Sequence, residues 1–262
     1  MNNDASSSYN AMQLQFNRRL SSRLHVLVSY TWSHSIDNLS NDVPPSAARN
    51  EDDPLPFDPR APGSSNFDVR HSLNGSIIAA LPAPHGGIAA VLFRNWTANS
   101  IFFVRSALPT DLVADTRGDR PNVVPGQPLY LYGAGFPGGK ILNSAAFSIP
   151  PPGLDGDLGR NVLRGLGAWQ LDFALHREFR LSEGLNLQLR AEAFNIFNHP
   201  NFANPSDPNA LGRLTLAPGP GFGSATQTLA TGLGPSNVVG QLSPLFQIGG
   251  PRSMQFALRL RF

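Results

Sequence analysis

The chain has 262 residues, a formal net charge of +2 and no cysteine, which removes disulfides, thiolate metal sites and thiol catalysis. Glycine and proline together make up about a fifth of the residues, too much for a helical protein and without the period of collagen. No stretch approaches the run of about 20 apolar residues that a membrane helix needs. The basic residues are scattered arginines with Lys140 as the sole lysine, so no nucleic-acid partner is expected.

The opening, Met1 to Ser8, carries no basic start, apolar stretch or small-residue cleavage site. Strict alternation begins soon after it. Met12, Leu14 and Phe16 alternate with Gln13, Gln15 and Asn17. Leu24, Val26, Val28, Tyr30 and Trp32 then oppose His25, Leu27, Ser29, Thr31 and Ser33. A third segment sets Val69, His71, Leu73, Ile77, Ala79 and Leu81 against Arg70, Ser72, Asn74 and Ser76. The fourth, from about Phe93 to Arg105, is apolar on both sides. The fifth opposes Trp169, Leu171, Phe173 and Leu175 to Gln170, Asp172, Ala174 and His176. In the sixth, Leu185, Leu187, Leu189, Ala191 and Ala193 oppose Asn186, Gln188, Arg190 and Glu192. The last sets Met254, Phe256, Leu258, Leu260 and Phe262 against Gln255, Ala257, Arg259 and Arg261.

A period of two means strands with one oily and one polar face. None of the seven segments contains a proline, although the chain has 24, and proline would remove a ladder donor. Each runs roughly 10 to 13 residues. At about 3.3 Å per residue and a tilt near 40°, ten residues span about 25 Å, the apolar height of an outer-membrane barrel. The connections alternate in length: 19–23, 82–87 and 180–184 are short, while about 34–67, 106–167 and 198–252 are long. Outer-membrane barrels have short periplasmic turns and long extracellular loops.

The pattern predicts an all-β fold, an antiparallel transmembrane β-barrel segment of about seven up-and-down strands in the bacterial outer membrane. Met12, Leu14, Phe16, Val26, Val28, Leu171, Phe173, Leu187, Leu189, Phe256, Leu258 and Leu260 are expected to face lipid. Trp32 and Trp169 fall at extracellular strand ends and Trp96 at a periplasmic end, where indole favours the headgroup zone. The lumen side receives Arg70, Asp172, Arg190, Glu192, Arg259 and Arg261. A turn centred near Ser182 sets Asp172 opposite Glu192 and makes Asp172 and Arg190 diagonal partners. Seven strands do not close a barrel with an even strand number, so residues 1–262 are expected to be the C-terminal portion of a larger one.

Several stretches resemble the C-terminal barrel of Oar-like TonB-dependent transporters. They are Leu27-Val-Ser-Tyr-Thr-Trp-Ser-His-Ser-Ile-Asp37, Phe67-Asp-Val-Arg-His-Ser-Leu-Asn-Gly75, Arg120-Pro-Asn-Val-Val-Pro-Gly126, Gly159-Arg-Asn-Val-Leu-Arg-Gly165 and Leu187 to Phe202. The resemblance implies an outer-membrane receptor that binds or imports a large ligand. Its plug, the rest of its barrel and its TonB-contacting segment would lie outside this sequence. Met254, Phe256, Leu258, Leu260 and Phe262 match the aromatic-ended signal that such barrels present to the barrel-assembly machinery.

Signs of other chemistry are weak. Gly133-Ala-Gly-Phe-Pro-Gly138 has dinucleotide-loop spacing but is followed by no helical period. Arg117-Gly-Asp119 is three common loop residues. Asp111, Asp115, Asp119, Asp155 and Asp157 match no calcium-loop spacing, and Glu51-Asp-Asp53 reads as solvated acid. The histidines, His25, His34, His71, His85, His176 and His199, show no metal-ligand pairing. The chain is expected to be non-enzymatic, with no cofactor and no metal. Two alternatives stay open: a small independent outer-membrane barrel enzyme, and a secreted β-sandwich binding module.

Overall fold

The computed structural model describes residues 6–38, 62–114, 119–151, 154–205, 214–217, 219, 221–229 and 249–262. Seven long strands form one antiparallel sheet in chain order: β1 (Ser7–Ser21), β2 (Leu24–Asp37), β3 (His71–Ala80), β4 (Trp96–Arg105), β5 (Ala168–Ser182), β6 (Leu185–Phe194) and β7 (Ser253–Arg261). A two-residue strand, Gly63–Ser64, adds to the end of β2. Among the described residues β1 and β7 are the unpaired edges, so the sheet stays open.

The register explains the alternation. Directly paired residues share a face, and the rung Leu27–Ser76–Ile101–Asp172 runs from β2 to β5. At the end where the long connections leave, this face is covered: Ser33, Ala168, Gln170 and Ala174 are buried, while Trp32 and Trp169 on the opposite face are open. The covered face is called inner and the bare one outer. Met12, Leu14, Phe16, Val26, Val28, Leu171, Phe173, Leu187, Leu189, Phe256, Leu258 and Leu260 all lie on the outer face. Gly75, on the same face, has a packing reason. A Cβ there would lie 2.5 Å from Phe102 Cζ, because the ring of β4 lies over the bare backbone of β3.

Two hairpins at the short-turn end share one device. Arg19 and Ser21 in the first, and Arg180 and Ser182 in the second, flank a one-residue bulge before a two-residue turn. In the second turn Gly184 takes a φ of 90°, the region only glycine enters freely. This corrects the expected register. Glu192 faces Ala174, and Arg190 faces His176. The Asp172–Arg190 pair therefore does not form. Arg190 pairs with Glu192 on its own strand, and Asp172 accepts from Gln170 Nε2 at 2.7 Å and from Asn195 N at 2.8 Å.

A second correction concerns the fourth segment. Phe93 does not begin a strand; it ends a short helix, α1 (Gly87–Phe93), and β4 starts at Trp96.

The main apolar core lies away from the sheet. Leu112, Leu142, Ala146, Phe147, Leu158, Leu163, Leu214, Leu216 and Phe222 form one buried cluster drawn from the two longer connections. Small ladders hold it, including a parallel pair of Leu112–Val113 with Leu214–Thr215. Burying the leucines and phenylalanines of this cluster stabilises the loops by about 1.5–3 kcal/mol each before entropy is charged. The described parts of the two longer connections thus form a folded cap at one end of the sheet.

Candidate functional site: the loop cap and its rim

Three separate sequence stretches converge where the cap meets the sheet. Asp68, between Gly63–Ser64 and β3, is 1% exposed. Its carboxylate accepts from Ser35 N at 2.9 Å, Arg70 Nε at 2.8 Å and Arg164 Nη2 at 2.6 Å. His34 Nδ1 also donates to it at 3.2 Å, while Arg70 Nη2 donates to His34 Nε2 at 3.1 Å. These two contacts select the Nδ1–H tautomer of His34. Burial acts to raise the Asp68 pKa, but the Ser35 amide, Arg164, Arg70 and His34 outweigh it and hold the carboxyl well below the usual range.

Next to this knot, Arg160 pairs with Asp37 at the end of β2. Asn161 Nδ2 donates to Ser64 O and to Asn66 Oδ1, each at 2.7 Å. The stretch 159–165 therefore clamps the cap to the rim through Arg160, Asn161 and Arg164.

The exit of β6 is held by asparagines. Asn195 and Asn198 take φ of 49° and 51°, a conformation asparagine tolerates better than most residues. Asn195 Nδ2 donates to His199 O and Gly250 O, and Asn198 Oδ1 accepts from Arg252 N. Asn201 pairs both ways with the backbone of Trp169, accepting from its N at 2.8 Å and donating to its O at 2.9 Å. The asparagines of 187–202 thus tie β5, β6 and the approach to β7 together. Their hydrogen bonds go to backbone groups of these strand ends.

Within the cap, the hairpin of Tyr130–Tyr132 and Lys140–Leu142 lines a narrow cleft of about 10 Å³, room for about one water, with Arg164, Leu166 and Gly223 on its other walls. The Lys140 ammonium lies 4.6 Å from the Tyr130 ring centre and donates to Arg164 O at 3.0 Å. Tyr130 Oη accepts from Arg164 N at 2.7 Å. Burial lowers the Lys140 pKa and raises that of Tyr130. No carboxylate pairs with Lys140 among the described residues.

The remaining sequence candidates fall into place around this. Gly133 to Gly138 is the hairpin turn of that cleft, closed by Gly133 N to Gly139 O at 3.0 Å, and a strand follows it instead of a helix. Asp155 and Asp157 accept from Arg120 N and Val123 N at 2.5 Å and 2.7 Å, and Asp111 pairs with Arg120. These acids clamp loop backbone. Asp115, Glu51 to Asp53 and most of Arg117-Gly-Asp119 lie outside the described residues.

Trp32 and Trp169 stand at the cap end of the outer face and Trp96 at the short-turn end. Tyr30 Oη and His71 Nδ1 share a 2.9 Å hydrogen bond on that face, and His199 packs against Trp169 in a tilted ring pair with centres 4.2 Å apart. On the inner face, Glu192 accepts from Gln255 Nε2, and Arg261 reaches across β6 to Glu178 at 3.4 Å. Arg259 lies on the same face beside Gln188. Arg70 belongs to the rim knot instead of the open lumen wall.

Comparison with known proteins bears on what this sheet is. A family model described as an outer membrane beta barrel domain matches residues 1–247. No curated protein and no solved structure matches the chain. Long antiparallel strands, a bare apolar face, sorted loop lengths and this match agree: the chain belongs to the outer membrane beta barrel domain family and resides in the bacterial outer membrane.

Proposed function

We propose that the chain forms part of the wall and the ligand-facing cap of a TonB-dependent receptor of the Oar-like kind, without catalytic activity of its own. One observation carries this reading. The inner face is mostly polar but carries one apolar patch across β2, β3 and β4: Ile78 and Ile101 stand 41% and 61% exposed there, beside Leu27 and Phe103. Bare apolar side chains on a lumen wall call for an occupant, as a plug would provide, whereas a porin lumen is polar. The cap is then the extracellular surface that meets ligand. The half-buried Lys140 ammonium at its surface keeps unused donors that suit an anionic or carbonyl group of the ligand. β7 carries Met254, Phe256, Leu258, Leu260 and Phe262 as the strand offered to the barrel-assembly machinery.

The non-enzymatic part has its own support. His34 and Asp68 look like a catalytic dyad, but Arg70 occupies the Nε2 that a general base would turn to a nucleophile. The secreted sandwich alternative loses its ground to the family match and to the absence of a facing sheet among the described residues.

The test uses the lack of cysteine. Ile101→Cys in intact outer membranes is exposed to a water-soluble maleimide, with Tyr132→Cys on the cap as the free control. An occupied lumen protects position 101 by about tenfold or more relative to position 132. Equal labelling indicates an open pore and rejects the receptor reading.

A further inference from the structure

Helix α1, Gly-Ile-Ala-Ala-Val-Leu-Phe, contains no polar side chain, yet Ile88 is 80% exposed and Val91, Leu92 and Phe93 are 52–57% exposed. A wholly apolar helix left bare needs something to cover it. Its position says what. The carbonyls of Val91 and Leu92 accept from the Arg177 guanidinium, and Leu92 O also accepts from Trp96 Nε1 at 2.9 Å. Arg177 and Trp96 are paired residues on the outer face, and the guanidinium lies 4.3 Å from the ring centre of Phe179 on the same face. The helix therefore sits at the short-turn end of the surface that Leu171 and Phe173 present. An arginine there would be costly in hydrocarbon, and α1 supplies the acceptors that satisfy it.

Around the helix the charge is one-sided. Leu81 N donates to Trp96 O, and Ala80 N to Arg23 O, which joins the first hairpin turn to the base of α1. Arg18, Arg23 and Arg94 are exposed at this end and have no acidic partner among the described residues. The acids that fall near the short turns are Glu178 and Glu183, and Glu178 is engaged by Arg261.

We infer that α1 is an interfacial helix of the phospholipid leaflet, with Ile88, Val91, Leu92 and Phe93 among acyl chains and Arg18, Arg23 and Arg94 on the phosphates of anionic phospholipid. α1 has no polar face of its own, and the arginines of the neighbouring turns supply the cationic border that an interfacial helix otherwise carries on itself. The inference rests on the membrane reading above, and the chain's three tryptophans let the two fail separately.

The full chain is reconstituted in phosphatidylcholine–phosphatidylglycerol vesicles as three single-tryptophan forms retaining Trp96, Trp32 or Trp169. Lipids brominated near the headgroup quench Trp96 more than lipids brominated deep in the chain. Brominated phosphatidylglycerol quenches it at least about threefold more than brominated phosphatidylcholine. Arg18→Gln, Arg23→Gln and Arg94→Gln together abolish that lipid preference, and Arg94→Gln alone reduces it if the triple variant fails to fold. Quenching of Trp32 and Trp169 without Trp96 means that a protein surface covers α1, which overturns this inference alone. No quenching of any tryptophan overturns the membrane reading as well. A preference for phosphatidylglycerol that survives the arginine changes removes the headgroup assignment.

Discussion

Replacing Asp68 by asparagine would release the cap from the sheet. The carboxylate gathers four donors from β2, the β3 approach and the 159–165 stretch. An asparagine keeps one acceptor, enough for Ser35 N, but its amide turns donors toward Arg70 or Arg164. Each charge-assisted bond lost is worth about 1.5–3 kcal/mol. Arg70 and Arg164 side chains are 33% and 26% exposed, so water recovers part of that. The net loss is about 2–4 kcal/mol, roughly thirty-fold to several-hundred-fold in the open-to-closed ratio of the rim. Hydrogen exchange reads this at the amides of Gly165, bonded to Leu108 O, and Ser35. Their protection falls, while the mid-strand amides of β5 stay protected. The pH dependence has a fixed sign. The folded pKa of Asp68 is depressed, so its stabilisation is present above the unfolded value of about 3.9 and is lost as pH falls below it. Unchanged rim protection in Asp68→Asn, or a rim that loosens as pH rises through 5 instead of falling below about 4, would mean that Asp68 does not fasten the cap.

Other expectations follow from the same geometry. Gly75→Val places a Cβ within 2.5 Å of Phe102 Cζ and 2.9 Å of Leu27 O. It should destabilise by about 1–3 kcal/mol in a urea titration, with Phe102→Ala in the same chain recovering part of the loss. Phe173→Arg, halfway along the outer face between Trp169 and the Trp96 rung, should cost about 2–4 kcal/mol of folding into bilayers. His176→Arg on the inner face should cost far less by the same titration. Lys140, being the sole lysine, can be followed by amine acylation and peptide mass spectrometry. Burial lowers its pKa, so its labelling midpoint should fall below that of a free lysine peptide; a midpoint at or above the peptide value would contradict the buried cleft.

The strands were legible because alternation is a two-residue signal that each segment carries within itself. Trp32, Trp96 and Trp169 could be assigned to strand ends on that basis alone. The cap was not legible. Leu112, Leu142, Phe147, Leu163, Leu214 and Phe222 are far apart in sequence and follow no period, and only tertiary folding brings them together. The stretches that carried the family resemblance turn out to be its fasteners: His34, Asp68, Arg160, Arg164, Asn195 and Asn201 each hold a rim or strand exit. Residue types alone could not distinguish such fasteners from ligand-binding groups. Helix α1 was missed because seven apolar residues show no amphipathic period. The Asp172–Arg190 error came from placing the 180–184 turn one residue early, which moves every cross-strand partner by two.

Nitroxide scanning of β5 reads whether the outer face of the sheet meets lipid. Single cysteines at positions 169 to 176 of β5, labelled in proteoliposomes, report collisions with oxygen, enriched in hydrocarbon, and with a water-soluble nickel chelate. An outer face in lipid gives a period of two: high oxygen and low nickel access at 171, 173 and 175, and damped oxygen access at 170, 172, 174 and 176. Collision rates without that alternation, or nickel access highest at 173, would mean that the outer face does not meet lipid.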